Sequence, residues 1–97
     1  MASKLPLYTI IADYEGGTYV SQHRAEDAKA AVLQWAVKGS FLIDYLKLTT
    51  KQLQRLREDF EREIPTAMKE TFAVWCTGAR LIRKYLSLTI VQTDPAA

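Results

Sequence analysis

Residues Leu7 to Tyr14 read LYTIIADY and residues Thr18 to His23 read TYVSQH, two runs rich in β-branched and aromatic types with Gly16-Gly17 between them. Such residues suit a pleated, half-buried surface. A two-residue turn of the primed type needs positive φ at its central positions, which glycine adopts without steric penalty. The pattern therefore predicts a hairpin. With an even-length loop, Tyr8, Ile10 and Ala12 share a face with Tyr19 and Ser21, while Leu7, Thr9 and Ile11 share the other with Thr18 and Val20. Neither face is clearly polar, so one is expected to meet helices and the other a second chain. A phosphate-binding reading of the glycines fails on context. It requires a glycine-rich turn opening directly into a helix, and here a strand pattern follows.

From Ala25 the period lengthens. AEDAKAAVLQWAVKG places Ala25, Ala28, Val32, Trp35 and Ala36 on one stripe, as a helix packed on a sheet requires. Glu26 and Asp27 are expected in its first turn, favourably placed for the helix dipole, and Lys38-Gly39 at its end. The apolar stretch Ser40 to Leu48 predicts a short helix with Phe41, Leu42 or Ile43, and Leu46 inward. Thr49 followed by Gln52 offers a capping box. The helix it opens carries Leu53, Leu56, Phe60 and Ile64 on one stripe and ends before Pro65. Its other side alternates in charge, with Arg55/Asp59, Arg57/Glu61 and Glu58/Arg62 at i,i+4 spacing.

Two further strand-like runs follow, Met68 to Thr77 and Leu81 to Thr93, joined at Gly78-Ala79-Arg80. A three-residue loop there puts Met68, Phe72, Val74 and Cys76 on a face with Ile82, Leu86, Leu88 and Ile90. Lys69, Thr71, Trp75, Thr77, Arg83, Tyr85, Ser87 and Thr89 then occupy the reverse, wetter face. The order β-β-α-(α)-α-β-β predicts an α+β fold: an antiparallel sheet of two hairpins with helices packed on one face. A single domain over residues 1–97 is expected, with a frayed tail from about residue 94.

Composition narrows the function classes. The 97 residues are 48% hydrophobic and 25% charged, with a net charge of +2, which is small for a nucleic-acid-binding protein. The one cysteine, Cys76, excludes an internal disulfide and a cysteine-based zinc site, and fits a reducing, cytoplasmic setting. No apolar run approaches the ~20 residues of a membrane span, and none near the N-terminus suits a signal peptide. His23, the sole histidine, has no carboxylate placed by local spacing to make it a catalytic base. Cys76 is expected inward beside Ile82 as a structural thiol. Glu58, Asp59, Glu61 and Glu63 alternate with arginines, which describes an ion-paired surface rather than a metal site. No cofactor is implied.

The best candidate surface is the reverse face of the C-terminal hairpin, where Trp75, Tyr85, Arg83 and Arg80 combine aromatics with cations. That set describes a protein-contact hot spot, a stacking surface for nucleic acid, or an Arg83–Trp75 cation–π pair of structural value alone.

The stretch YTIIADYEGGTYVSQHRAEDAKAAVLQWA resembles the opening of HicB-like antitoxins, which have a strand, an acidic-glycine turn, a second strand and a helix introduced by an acidic-alanine segment such as EDAKAA. The resemblance covers residues 8–36, about a third of the chain. Between Gln22 and Ala25 the sequence departs from that pattern, passing almost directly into the helix. The resemblance implies a small regulatory or interaction domain of bacterial type. The expectation is thus a non-enzymatic, self-associating protein-interaction module, a homodimer that binds another protein. The alternative is a small nucleic-acid-binding domain using the C-terminal hairpin.

Overall fold

The two hairpins join in one chain through their inner strands. In the computed structural model, which describes residues 5–39, 45–69 and 71–94, β1 (Leu7–Tyr14) pairs on one side with β2 (Gly17–Arg24) and on the other with β5 (Lys84–Asp94). Beyond β5 lie β4 (Val74–Leu81) and β3 (Thr66–Ala67), giving a five-stranded antiparallel sheet in the order β2-β1-β5-β4-β3. The helices α1 (Ala28–Gln34) and α2 (Thr50–Arg62) lie against one face, as an α+β layer requires. The apolar segment 40–48, expected as a short helix, lies outside the described residues over 40–44.

The first hairpin has the expected faces. Tyr8 pairs with His23, Ile10 with Ser21 and Ala12 with Tyr19. Its turn sits one residue earlier than the glycine pair suggests, with Glu15 (φ 49°) and Gly16 (φ 80°) at the centre and Gly17 opening β2. Both are even-length turns, so the sidedness is unchanged.

The second hairpin differs from expectation by one residue of phase. Its turn is Ile82-Arg83, both at positive φ, and Gly78 lies inside β4 opposite Ser87. Trp75 therefore opposes Ile90, Thr77 opposes Leu88 and Ala79 opposes Leu86, all facing the helices. Val74, Cys76 and Arg80 face away. A one-residue shift sends every side chain of a strand to the opposite face. The shift lets Ala79 and Leu81 join Leu86, Leu88 and Ile90 in the core. Met68 to Thr77 is not one strand. Thr66-Ala67 forms a two-residue edge, Met68 N–H donates to the Val74 carbonyl at 3.0 Å, and Phe72 stands 96% exposed ahead of β4.

Helix α1 begins at Ala28, with Asp27 as its cap rather than in its first turn: the carboxylate accepts from Ala30 N–H at 2.8 Å. It runs into a π-helical turn, Trp35–Gly39. Ala25, Ala28, Val32, Trp35 and Ala36 are all buried, as their spacing predicts. The Thr49/Gln52 capping box forms reciprocally at the start of α2, at 3.0 and 3.1 Å. Leu56 and Phe60 reach the core, where the Phe60 and Trp35 rings meet edge to face at 6.3 Å. Ile64 does not follow them. The helix stops at Arg62, Glu63 caps it in extended conformation ahead of Pro65, and Ile64 is 77% exposed. On the outer side, Asp59 pairs with Arg62 rather than with Arg55.

Candidate interaction surface

Burial separates the two sides of the sheet. On the helix side, Tyr8, Ile10, Ala12, Tyr14, Leu86, Leu88 and Ile90 are all buried. On the opposite side, the register aligns Val20, Ile11, Thr89 and Cys76 in one row across four strands, and Gln22, Thr9, Val91 and Val74 in the next. None of these eight is buried, and among the described residues no helix covers them. Thr9 accepts from the Gln22 amide at 3.1 Å and pairs with Thr93 at 2.9 Å. Strands exposed on one face ordinarily alternate apolar-in with polar-out, whereas this outer face keeps Ile11, Val20, Val74 and Val91.

The residues expected to form one patch do not converge. Tyr85 and Arg80 oppose each other on the uncovered face, and Arg83 sits in the adjoining turn, its carbonyl accepting from the Arg80 guanidinium at 3.5 Å. Trp75 lies on the other side, half-buried, with its ring edge-on to Tyr8 at 5.9 Å. No aromatic row with interleaved cations is assembled, and Arg83 cannot lie over Trp75. Tyr85 instead lies across Gly78, where an added Cβ would also meet the Leu86 carbonyl oxygen at 2.8 Å. The ring thus covers the backbone of a glycine diagonally across the ladder.

Other candidate chemistry stays separate. His23 is buried and its Nε2 lies 2.9 Å from Ser21 Oγ. Burial holds its pKa below the ordinary imidazole value. No carboxylate completes this pair among the described residues. Cys76 is half-buried on the uncovered face beside Thr89 and Thr66, not inward beside Ile82. No cluster of metal-ligating side chains occurs among the described residues, and no described helix is long and apolar enough to cross a membrane.

The two ends of the sheet also differ. At one end, β3 is two residues long and follows Pro65, so it offers little backbone for pairing. At the other, β2 runs eight residues in unbroken register with β1. The Tyr14–Gly17 pair closes the turn and is hydrogen-bonded, so by alternation Tyr19, Ser21 and His23 point their backbone groups at β1. Thr18, Val20 and Gln22 then point theirs outward. The Arg24 carbonyl accepts from the Gln34 amide at 2.8 Å, which closes that end of the strand. β2 contains no proline, no lysine and no bulge, the usual devices that blunt an edge. The signal was present in the sequence as an alternating run free of those residues, but which strand lies at the edge follows only from the pairing of β1 with β5.

Comparison of the chain with protein-family models, with curated proteins and with solved structures finds no match.

Proposed function

We propose that this chain is a non-enzymatic protein-interaction module of regulatory type that self-associates, acting as a homodimer in a reducing, cytoplasmic setting. The observation that carries the reading is the open edge of β2: an eight-residue strand, regular and unblunted, at one end of a sheet whose other end is the two-residue strand β3. Natural sheets protect such edges unless a partner uses them. The uncovered face with Ile11, Val20, Val74 and Val91 adds apolar area beside that edge. The lone free thiol is compatible with a reducing compartment. Light scattering over a concentration series tests the reading. A mass of twice the monomer, or a monomer–dimer equilibrium, is the expected result. A strictly monomeric mass throughout, together with a pull-down that recovers no partner, overturns it.

A further inference from the structure

We infer that the β2 edge pairs with the β2 edge of a second copy, antiparallel, about a two-fold axis at Val20, so that two five-stranded sheets become one of ten strands. The inference rests on the self-association proposed above and specifies its geometry.

Three observations fix the register. First, among the described residues the outward backbone groups without a partner are those of Thr18, Val20 and Gln22, since Arg24 is closed by Gln34. An antiparallel pairing must set outward groups against outward groups. Centring the axis on Val20 matches all three: Thr18 with the partner's Gln22, Val20 with the partner's Val20, and Gln22 with the partner's Thr18. That gives six hydrogen bonds between chains. Centring it on Ser21 leaves only Val20 and Gln22 matched among these three and turns Thr18 to the closed Arg24.

Second, the side chains agree with this register. Val20 is 63% exposed in the middle of a strand, at the end of the row that runs through Ile11 to Thr89 and Cys76. With the axis at Val20, the two valines meet as a directly opposed β-branched pair, and the row continues into Ile11 of the other copy. Gln22 faces Thr18, whose hydroxyl donates to Asp13 at 2.8 Å and can accept from the second N–H of the Gln22 amide. On the helix side, His23 falls opposite Gly17 of the other copy, over which the Tyr19 ring lies.

Third, the charges alternate rather than repel. The same register brings Arg24 opposite Gly16 of the other copy, beside Glu15, and no like charges stand opposed. Both Arg24–Glu15 approaches form by symmetry.

Cross-linking tests this in a Cys76→Ser background. Directly opposed, hydrogen-bonded antiparallel residues have Cα atoms about 5.5 Å apart, inside the range a disulfide spans. Val20→Cys should give a disulfide-linked dimer under mild oxidation. Thr18→Cys should not, because the two copies of residue 18 lie four positions apart along the ladder. Gln22→Pro separates pairing from folding. Its N–H faces outward, so proline leaves the β1 ladder intact while removing two bonds per dimer. The dimer dissociation constant should rise about thirtyfold at roughly 1 kcal/mol per bond. Val20→Lys, a substitution at an exposed site, should weaken the dimer in the same direction. A dimer that cross-links through Thr18→Cys or Ser21→Cys instead, or that is unmoved by both Gln22→Pro and Val20→Lys, overturns this interface and leaves self-association standing. A monomeric wild-type chain overturns both.

Discussion

The two hairpins have equal turn lengths and opposite turn chemistry. The first turns at Glu15-Gly16, the second at Ile82-Arg83, and all four residues have positive φ. Only one of them is glycine. An L-residue in that region costs about 1–2 kcal/mol, more for a β-branched side chain. The second hairpin therefore holds a strained turn while its glycine, Gly78, serves elsewhere, under the Tyr85 ring. A glycine in a hairpin can mark a bend or a place where another group must come close. The two hairpins show one of each.

That comparison breaks most sharply at the glycines beside tyrosines. At Gly17 the atoms nearest an added Cβ belong to the far end of the Tyr19 side chain, 2.6–2.9 Å away, and not to the backbone. At Gly78 it would meet Tyr85 and also the Leu86 carbonyl oxygen at 2.8 Å, which belongs to the paired strand and cannot move without loosening the ladder. Gly78→Ala should destabilise the fold by about 2–3 kcal/mol as an overpacking substitution, and Gly17→Ala by under about 1 kcal/mol. Urea unfolding of both variants gives the comparison. Equal costs would mean that Gly78 is not held by the backbone behind it.

The turns predict an effect of opposite sign. Ile82→Asn with Arg83→Gly replaces two strained residues by the pair a primed turn favours, and should stabilise by about 1–2 kcal/mol. Glu15→Asn relieves one such residue beside a glycine already in place, and should gain less. Thermal unfolding midpoints order the two variants directly. A second-turn variant no more stable than the wild type would mean that the surrounding contacts, not the turn, set its conformation.

The same contrast explains what was legible in the sequence. The first hairpin, the alanine stripe through Trp35 and the Thr49/Gln52 box could all be read, because each combines a period with a residue of restricted backbone use. The α+β order followed from them. The second hairpin was misread because its only glycine invited a loop at Gly78, and because β4 is apolar on both faces: Val74 and Cys76 alternate with Trp75, Ala79 and Leu81. With β5 fixed by Leu86, Leu88 and Ile90, either phase of β4 buries apolar groups. The choice depends on whether Trp75 finds Tyr8 across the sheet, a contact between strands far apart in sequence. The proposed patch of Trp75, Tyr85, Arg83 and Arg80 depended on that phase and divides between two faces. The open edge was beyond local pattern altogether, since it follows from strand order.

A smaller effect links the hairpins. Tyr14, at the end of β1, donates its hydroxyl to the Leu81 carbonyl at 2.5 Å, tying the second turn to the first. Burial, with a contribution from the charge of Glu15, raises its pKa and keeps the phenol protonated as a donor. Tyr14→Phe should cost about 1 kcal/mol, the net value of one hydrogen bond, and should fall to less in the Ile82→Asn, Arg83→Gly background if the strained turn is what the bond restrains. A cost unchanged by the turn would mean that the bond acts on packing alone.

The smallest effect is a difference in pH response between the hairpins, since only the first carries a histidine. His23 is buried on the helix side of β2, and its charged form is disfavoured there by desolvation. In the unfolded chain the ring takes up its proton near its ordinary pKa of about 6.5, and in the folded chain only at lower pH. Between those two values the unfolded state binds more protons than the folded one, so stability declines as pH falls. The contribution is fully present above about pH 6.5, is lost progressively below it, and levels off once the folded ring is also charged. His23→Gln keeps a polar group near Ser21 and does not titrate. The difference in melting temperature between wild type and this variant should therefore shift in the variant's favour from about pH 7.5 to pH 5.5. A difference constant across that range would mean that the ring titrates alike in both states, and the N-terminal hairpin would then be no more sensitive to acid than the C-terminal one.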